Sequence, residues 1–436
     1  MKSNHRDAEA ASPRVIPRSE HPISRKSISK AALRVLYGLK DAGYQAHLVG
    51  GGVRDLLLGI APKDFDVATD AHPEVIKSIF PSCRLIGRRF RLAHVRFGRE
   101  IIEVATFRAS HTEGEDGVTG DDGRIVRDNV FGTIEEDALR RDFTVNALYY
   151  NIADYSIIDY AGGVADIEKR VLRVLGDPAT RYREDAVRML RAARFSAKLG
   201  FDLDPESAAP IAGLRDSLRE IPAARLFEEV LKLLQTGHAQ ASFAALQKLD
   251  LLQYLFPVTD RHLKAGTPYF AELVAEGLAN TDRRIAAQKP VTPAYLYAIL
   301  LWPEVEERTA VWTERGEPPA AAALAAADEV IPFQLQATSL PKRFSIPMRE
   351  IWSLQSRLLS TSNKRSKRLL GHPRFRAAYD FLCLRAHSSG DPHQRARAQY
   401  WTELQEHQPA PENTQEKPHK PQRRRRPRRR KSGSGE

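Results

Sequence analysis

The stretch HLVGGGVRDLLLGIAPKDFDVATD, residues 47–70, packs three glycines, an Arg-Asp step and two aspartates one residue apart into a single run. Residues i and i+2 of a strand share a face about 6.5 to 7 Å apart, so a strand over residues 64–68 would present the carboxylates of Asp64 and Asp66 side by side. That spacing suits Mg2+, which takes one or two carboxylates plus substrate phosphates. Two such ions about 3.5 to 4 Å apart can activate an attacking hydroxyl and hold a departing pyrophosphate. Upstream, Gly50, Gly51 and Gly52 supply backbone free to approach a triphosphate. The short helix after them turns amides toward anions, and Arg54 is a candidate charged clamp. Such a site wants a third carboxylate. Asp142 in LRRDFTVNAL and Glu103 in IIEVATFR are both available, and their residue types do not rank them.

Around this core the chain alternates short elements. Ser29 can cap a helix that carries Ala32, Leu33, Leu36 and Leu39 and ends at Gly43. Residues 46–49 and 64–68 read as strands, 53–58 as a helical turn and 73–80 as a helix opened by proline. Residues 84–86, 92–97 and 101–107 are β-branched or alternating, the last two joined across Gly98-Arg99 as a hairpin. The expectation is one mixed sheet backed by helices. Residues 110–127, rich in Gly, Asp and Glu, read as a mobile loop. From Gly176 onward the pattern becomes helical, with residues 184–199, 223–235 and 239–249 as helices. The fold class is therefore α+β: residues 28–165 a mixed-sheet head, 166–225 a helical neck, 226–403 a helical body. A flexible arm over residues 1–27 and a disordered basic tail over 404–436 flank them.

Lys plus Arg number 67 against 55 for Asp plus Glu, a net charge of +12 that suggests a polyanionic partner. Residues 408–436 hold ten Lys or Arg and three Glu, so the tail carries +7 of that surplus. Cys83 and Cys383 stand far apart with no CxxC partner, which excludes a disulfide framework or a cysteine zinc site. The polar, proline-bearing first 27 residues lack an apolar core, and no apolar run reaches 18 residues. The reading is a cytoplasmic protein with no membrane contact.

Taken in order, GGGVRDLLLG, KDFDVATD, RRDFTVNAL and RYREDAVRMLRAARFSAKLG resemble the motifs of the bacterial-type tRNA nucleotidyltransferase/poly(A) polymerase family, within the polymerase β-like nucleotidyltransferases. The resemblance covers residues 46–200, with weaker similarity in RLFEEVLKLL and HPRFRAAYD. It implies that Asp64 and Asp66 hold two Mg2+ ions, that Asp142 is the third acidic residue, and that Gly51, Gly52 and Arg54 hold the triphosphate of ATP. It further implies that Asp185 and Arg188 face the incoming base, with Arg191 and Arg194 nearby for phosphate. Asp185 and Arg188 lie three apart, which would put them on one helix face. Arg140 and Arg141 beside Asp142 are expected to face phosphate. Without those neighbours, Asp185 and Arg188 would be an ordinary ion-pair ladder and Glu103 a solvent-side strand residue.

Members of this family add either CCA to tRNA or adenylates to RNA 3′ ends. LIGRRFRLAHVRFG resembles the segment that marks the adenylate-adding members, with Arg88, Arg89 and Arg91 as RNA contacts. The tail RRRRPRRRKSGSGE adds Arg423, Arg424, Arg425, Arg426, Arg428, Arg429 and Arg430, which can grip phosphates without sequence preference. The expectation is a polynucleotide adenylyltransferase acting on the 3′ ends of mRNA and other RNAs. RNA-decay or RNA-chaperone proteins are its candidate partners. A CCA-adding enzyme and a catalytically silent RNA-binding protein are the alternatives.

Overall fold

A computed structural model describes residues 12–87, 91–109, 130–360 and 363–406. The strands are β1 (Arg14–Ile16), β2 (Ala46–Val49), β3 (Asp66–Thr69), β4 (Cys83–Ile86), β5 (Leu92–Phe97), β6 (Glu100–Thr106), β7 (Leu148–Asn151) and β8 (Ile157–Asp159). They form one mixed sheet in the order β1-β8-β7-β2-β3-β6-β5-β4. Only β3 and β6 run parallel; every other neighbour in the sheet is antiparallel. Gly98, at φ 61°, closes the β5–β6 hairpin as its sequence predicts.

Helices back the sheet. α1 (Lys30–Asp41) starts where the Ser29 hydroxyl accepts from the Ala32 amide, and it buries Ala32, Val35, Leu36 and Leu39. α2 (Gly51–Leu57), α3 (Pro73–Ile79), α4 (Ile134–Leu139) and α5 (Gly163–Lys169) follow in the head. α4 opens with a reciprocal capping box between Thr133 and Glu136. Beyond the head come α6 (Pro178–Glu184) and α7 (Val187–Leu199). The helices Ala223–Leu234, Ala239–Lys248, Phe270–Ala286, Pro319–Ala337, Lys342–Ser360, Phe375–Ser389 and Pro392–Glu406 are among those that build the body. One hydrophobic core runs from Ile16 through the sheet and α7 into the body as far as Leu384. A smaller core around Leu358, Phe375 and Trp401 joins the last helices.

Four expectations need correction. Residues 12–27 of the expected flexible arm hold defined structure. β1 pairs with β8, and His21 and Ile23 are buried, because Val15 and Ile16 alternate as a strand does and find the open edge of the sheet. Asp64 lies outside its predicted strand, which begins at Asp66. The partner β2 ends opposite Asp66 at Val49 and then turns through Gly50, at φ 67°, so no ladder remains for Asp64. The single helix expected over 184–199 is broken at Asp185, whose backbone is extended (φ −154°, ψ 99°). The Asp185 carboxylate accepts from the Val187 amide at 3.2 Å and so starts α7 anew. Finally, β9 (Val171–Leu172) and β10 (Asp202–Leu203) form a small parallel pair inside the stretch read as all-helical. The predicted mobile loop over 110–127 lies outside the described residues. Cys83 is buried, Cys383 is half-buried, and both are free. Among the described residues no helix is long and apolar enough to cross a membrane.

Candidate active site

Asp66 opens β3 between two strands, facing Val49 of β2 on one side and Glu103 of β6 on the other. The parallel β3–β6 pairing thus puts Glu103 beside Asp66, and His94 lies across from it on β5 with its Nε2 3.4 Å from the Glu103 carboxylate. Asp66 is open to water but sits in a concave wall. Burial among the surrounding atoms, then the Glu103 charge, push its carboxyl up to about 6; Asp64 adds to this and Arg141 opposes it. Asp64 and Glu103 both oppose the ionisation of Asp66, and the three carboxylates supply hard oxygens of the kind a divalent cation takes.

Asp142 is held differently. It accepts from Arg191 Nε at 2.8 Å, from Asn146 Nδ2 at 3.0 Å and from the Phe143 amide at 2.9 Å. Burial alone would raise its carboxyl, but Arg191 and these hydrogen bonds hold it below the usual carboxylate range. An ionised Asp142 already matched by Arg191 serves to fix that arginine, whereas Glu103 is the carboxylate that adjoins Asp66.

Arg54, expected as a triphosphate clamp, is instead buried at 2% exposure. Its Nε and Nη2 donate to Asp55 at 2.9 and 2.6 Å, its Nη1 donates to Asn146 Oδ1 at 2.5 Å, and it lies over the Phe195 ring. With these donors used internally, it braces Asn146 and through it Asp142. Gly50 carries the positive φ of the turn, and a side chain there would also meet Arg141 Nη1 at 3.2 Å.

Arg140 and Arg141 are anchored on the buried Asp137, Arg141 also donating to the Tyr149 hydroxyl at 2.9 Å. Burial of Asp137 is outweighed by these two guanidiniums, and its carboxyl falls to about 2. Arg181 of α6 donates to the Arg140 and Arg141 carbonyls, tying the helical neck to the head.

A cleft of about 500 Å³ gathers these parts. Asp66, Glu103 and Asp142 line it from the head, and Asp185, Arg188 and Arg191 from the neck. Asp185 and Arg188 therefore share the cleft, although not as neighbours on one helix. Arg188 donates to the Glu184 carboxylate and to the Arg181 carbonyl. Asp185 receives Arg225 Nη2 at 2.6 Å. Arg225, with Glu229, comes from the helix Ala223–Leu234 and was missed as a site residue. Its one signal was its place at the head of RLFEEVLKLL, the stretch of weaker family similarity, which assigns it no role. Arg194 is outside the cleft lining, stacked on Phe195 at 4.4 Å with Glu229 at 3.8 Å. Arg91 is exposed and paired with Glu74 at 2.5 Å. Arg88, Arg89 and Arg423, Arg424, Arg425, Arg426, Arg428, Arg429 and Arg430 lie outside the described residues.

Comparison with known families finds relatives along most of the chain. Residues 46–173 match the Poly A polymerase head domain, 200–263 the "Probable RNA and SrmB-binding site of polymerase A", and 315–432 the "Polymerase A arginine-rich C-terminus". The chain is 49% identical over 397 residues to Poly(A) polymerase I of Salmonella typhimurium, covering 90% of this chain and 85% of that protein. It is 50% identical over 398 residues to Poly(A) polymerase I of Escherichia coli O6:H1, with the same coverage. A CCA-adding enzyme of Bacillus pumilus matches at 37% over 248 residues, 57% of this chain and 60% of that protein. Among solved structures, the Bacillus stearothermophilus CCA-adding enzyme in complex with CTP superposes with a TM-score of 0.57 at 27% identity, over 86% of this chain and 81% of that one. The chain belongs to the bacterial poly(A) polymerases of the tRNA nucleotidyltransferase/poly(A) polymerase family.

Proposed function

We infer that the protein is a polynucleotide adenylyltransferase that adds AMP from ATP, without a template, to RNA 3′ ends. The observation that carries this reading is the near-half identity to poly(A) polymerases along 90% of the chain, against partial matches to CCA-adding enzymes. The family works on nucleoside triphosphates with a divalent cation, and we propose Mg2+ in a two-ion site. Asp64, Asp66 and Glu103 would hold it, where it supplies charge stabilisation for the attacking oxygen and for the departing pyrophosphate.

The chain's own residues do the rest. Arg140 and Arg141, fixed on Asp137, put positive charge beside the triphosphate. Asp142 and Asn146 aim Arg191 toward the same space, so little reorganisation is needed as charge develops. Asp185 and Arg188 offer an acceptor and a donor to the base edge at the neck side of the cleft. In the reaction a bond forms between the ribose 3′ oxygen and the α-phosphorus while the α–β phosphoanhydride bond breaks. The hydroxyl proton passes to solvent water and pyrophosphate departs. Head (28–165), neck (166–225), body (226–403) and basic tail (404–436) would divide chemistry, base choice and RNA grip. A cytoplasmic location and RNA-decay or RNA-chaperone partners accord with that role.

The test is extension of an unstructured RNA by the purified protein with Mg2+ and each nucleoside triphosphate singly. Incorporation of ATP alone is expected. Incorporation of CTP, or extension confined to tRNA lacking its terminal CCA, would replace this reading with CCA addition.

A further inference from the structure

The helical body holds a second concave cationic surface. A pocket of about 380 Å³ opens among the helices Phe270–Ala286, Pro293–Leu300, Lys342–Ser360 and Phe375–Ser389; its lining shares no residue with the carboxylate cleft, and it adjoins residues 200–263, where Phe227 packs on Phe344 at 6.1 Å and Gln235 donates to the Val291 carbonyl at 3.1 Å. Arg284, Arg343, Arg374 and Arg376 line it against a single carboxylate, Asp380. Arg376 is paired with Asp380 at 2.8 Å, and Arg374 with Glu350 at 2.9 Å. The other two form no ion pair within 4.0 Å among the described residues, although the Arg284 charge acts on Asp380. Arg284 donates to the Pro290 carbonyl at 3.0 Å, and Arg343 lies 4.8 Å over the Phe344 ring.

The rest of the wall is largely apolar and aromatic, with Phe344, Tyr295, Ile351 and Pro347 contributing to it. The Tyr295 hydroxyl is shut off from water and has no hydrogen-bond partner. Small inorganic anions would waste the aromatic wall, and a neutral hydrophobe would leave two guanidiniums unmatched. An acidic peptide brings carboxylates but no flat ring. A nucleotide has both parts: a base that stacks on aromatic and guanidinium planes, and a phosphate that takes the guanidinium fork. The pocket's size falls within the usual range of roughly 300 to 1,000 Å³ for small-ligand sites.

We propose that this pocket is a nucleotide-binding subsite of the body that takes one unpaired nucleotide of the RNA strand upstream of the 3′ end being extended. It rests on the reading of the protein as an enzyme acting on RNA. Arg284 and Arg343 hold the phosphate, and Phe344 and Tyr295 receive the base. The subsite gives the body a hold on the strand that is independent of the catalytic carboxylates.

Three measurements on the full chain, none containing ATP, test the subsite separately from the chemistry. In the first, fluorescence anisotropy follows a labelled single-stranded oligoadenylate binding to the protein and to the Arg284→Gln/Arg343→Glu variant. Removing the hold on about one stacked, phosphate-paired nucleotide predicts an approximately tenfold weaker Kd and a shallower salt dependence. Unchanged affinity and slope would overturn the proposal. In the second, RNA carrying 5-bromouridine is cross-linked to the unaltered protein by ultraviolet light and the peptides are mapped. Adducts on Tyr295 or Phe344 are expected, and adducts confined to other segments would overturn the assignment even if the variant failed to fold. Labelled AMP is the third arm. If AMP binds this pocket while oligoadenylate affinity is the same in both proteins, the site serves free nucleotide and the RNA-strand proposal is wrong. Equal competition by polyglutamate would reassign it to acidic peptide.

Discussion

On neighbouring strands, Asp66 and His47 are each pushed toward the neutral form. Asp66 ionises reluctantly because burial and Glu103 oppose its charge, so the carboxylate is held ready for a cation at some cost to the apo fold. Asp66→Asn should therefore leave the melting temperature in the absence of divalent cation unchanged or raised. RNA extension should fall by about a thousandfold, equivalent to about 4 kcal/mol of transition-state stabilisation. Retained extension would remove Asp66 from the site. His47 is 3% exposed between Phe107 and Tyr149, and burial lowers its pKa to about 4. The unfolded chain binds this proton more readily than the folded one. Stability on this account is lost as pH falls from about 6.5 to 4, by about 3 kcal/mol, and is unaffected above that window. His47→Phe should flatten that part of the pH–stability profile, as read by thermal melts from pH 4 to 7.5. An equally steep profile in the variant would assign the acid sensitivity elsewhere. Asp66 and the candidate Glu103 were legible from the strand pattern, whereas Asp64 was named from its spacing to Asp66 and lies outside the strand that reading gave it. The commitment of Arg54 to Asp55 and Asn146 was not, because burial of an arginine depends on which elements close over it.

At the scale of elements, the turn from β2 into α2 decides where the carboxylates stand. Gly50 at φ 67° ends the β2–β3 ladder at Asp66 and brings the chain back beneath Arg141. Gly50→Ala is expected to cost about 1 to 2 kcal/mol in stability from the left-handed backbone alone. It should slow extension further by pressing on Arg141, and chemical denaturation and initial rates would measure the two effects. A stable, fully active variant would show that the turn has another conformation open to it. The broken helix at Asp185 belongs to the same scale. Apolar periodicity runs unbroken through residues 184–199, so the sequence pattern predicts one helix. The break arises because Asp185 can satisfy the Val187 amide while Arg225, forty residues later, takes its other oxygen. β1 was missed for a related reason, since three residues among prolines carry too little pattern until the β8 edge is there to receive them.

At the scale of the whole molecule, charge and shape separate. Residues 408–436 hold +7 of the net +12, leaving +5 for the other 407 residues. Removing residues 422–436 should lessen the salt dependence of RNA binding by about 0.7 in log–log slope for each phosphate that the tail had neutralised, without abolishing extension. An unchanged slope would make the tail idle. By itself the sequence determined the α+β class and the location of the charge, and its four ordered motifs carried the resemblance to the family. These rest on residue type, local periodicity and spacing, which are properties of neighbours along the chain. Only the tertiary structure decided that Glu103 rather than Asp142 adjoins Asp66, that Arg54 faces inward, and that Arg225 meets Asp185. Each of those pairings joins segments far apart in sequence, and strand register and the packing of neck on head select which groups end up within hydrogen-bond reach.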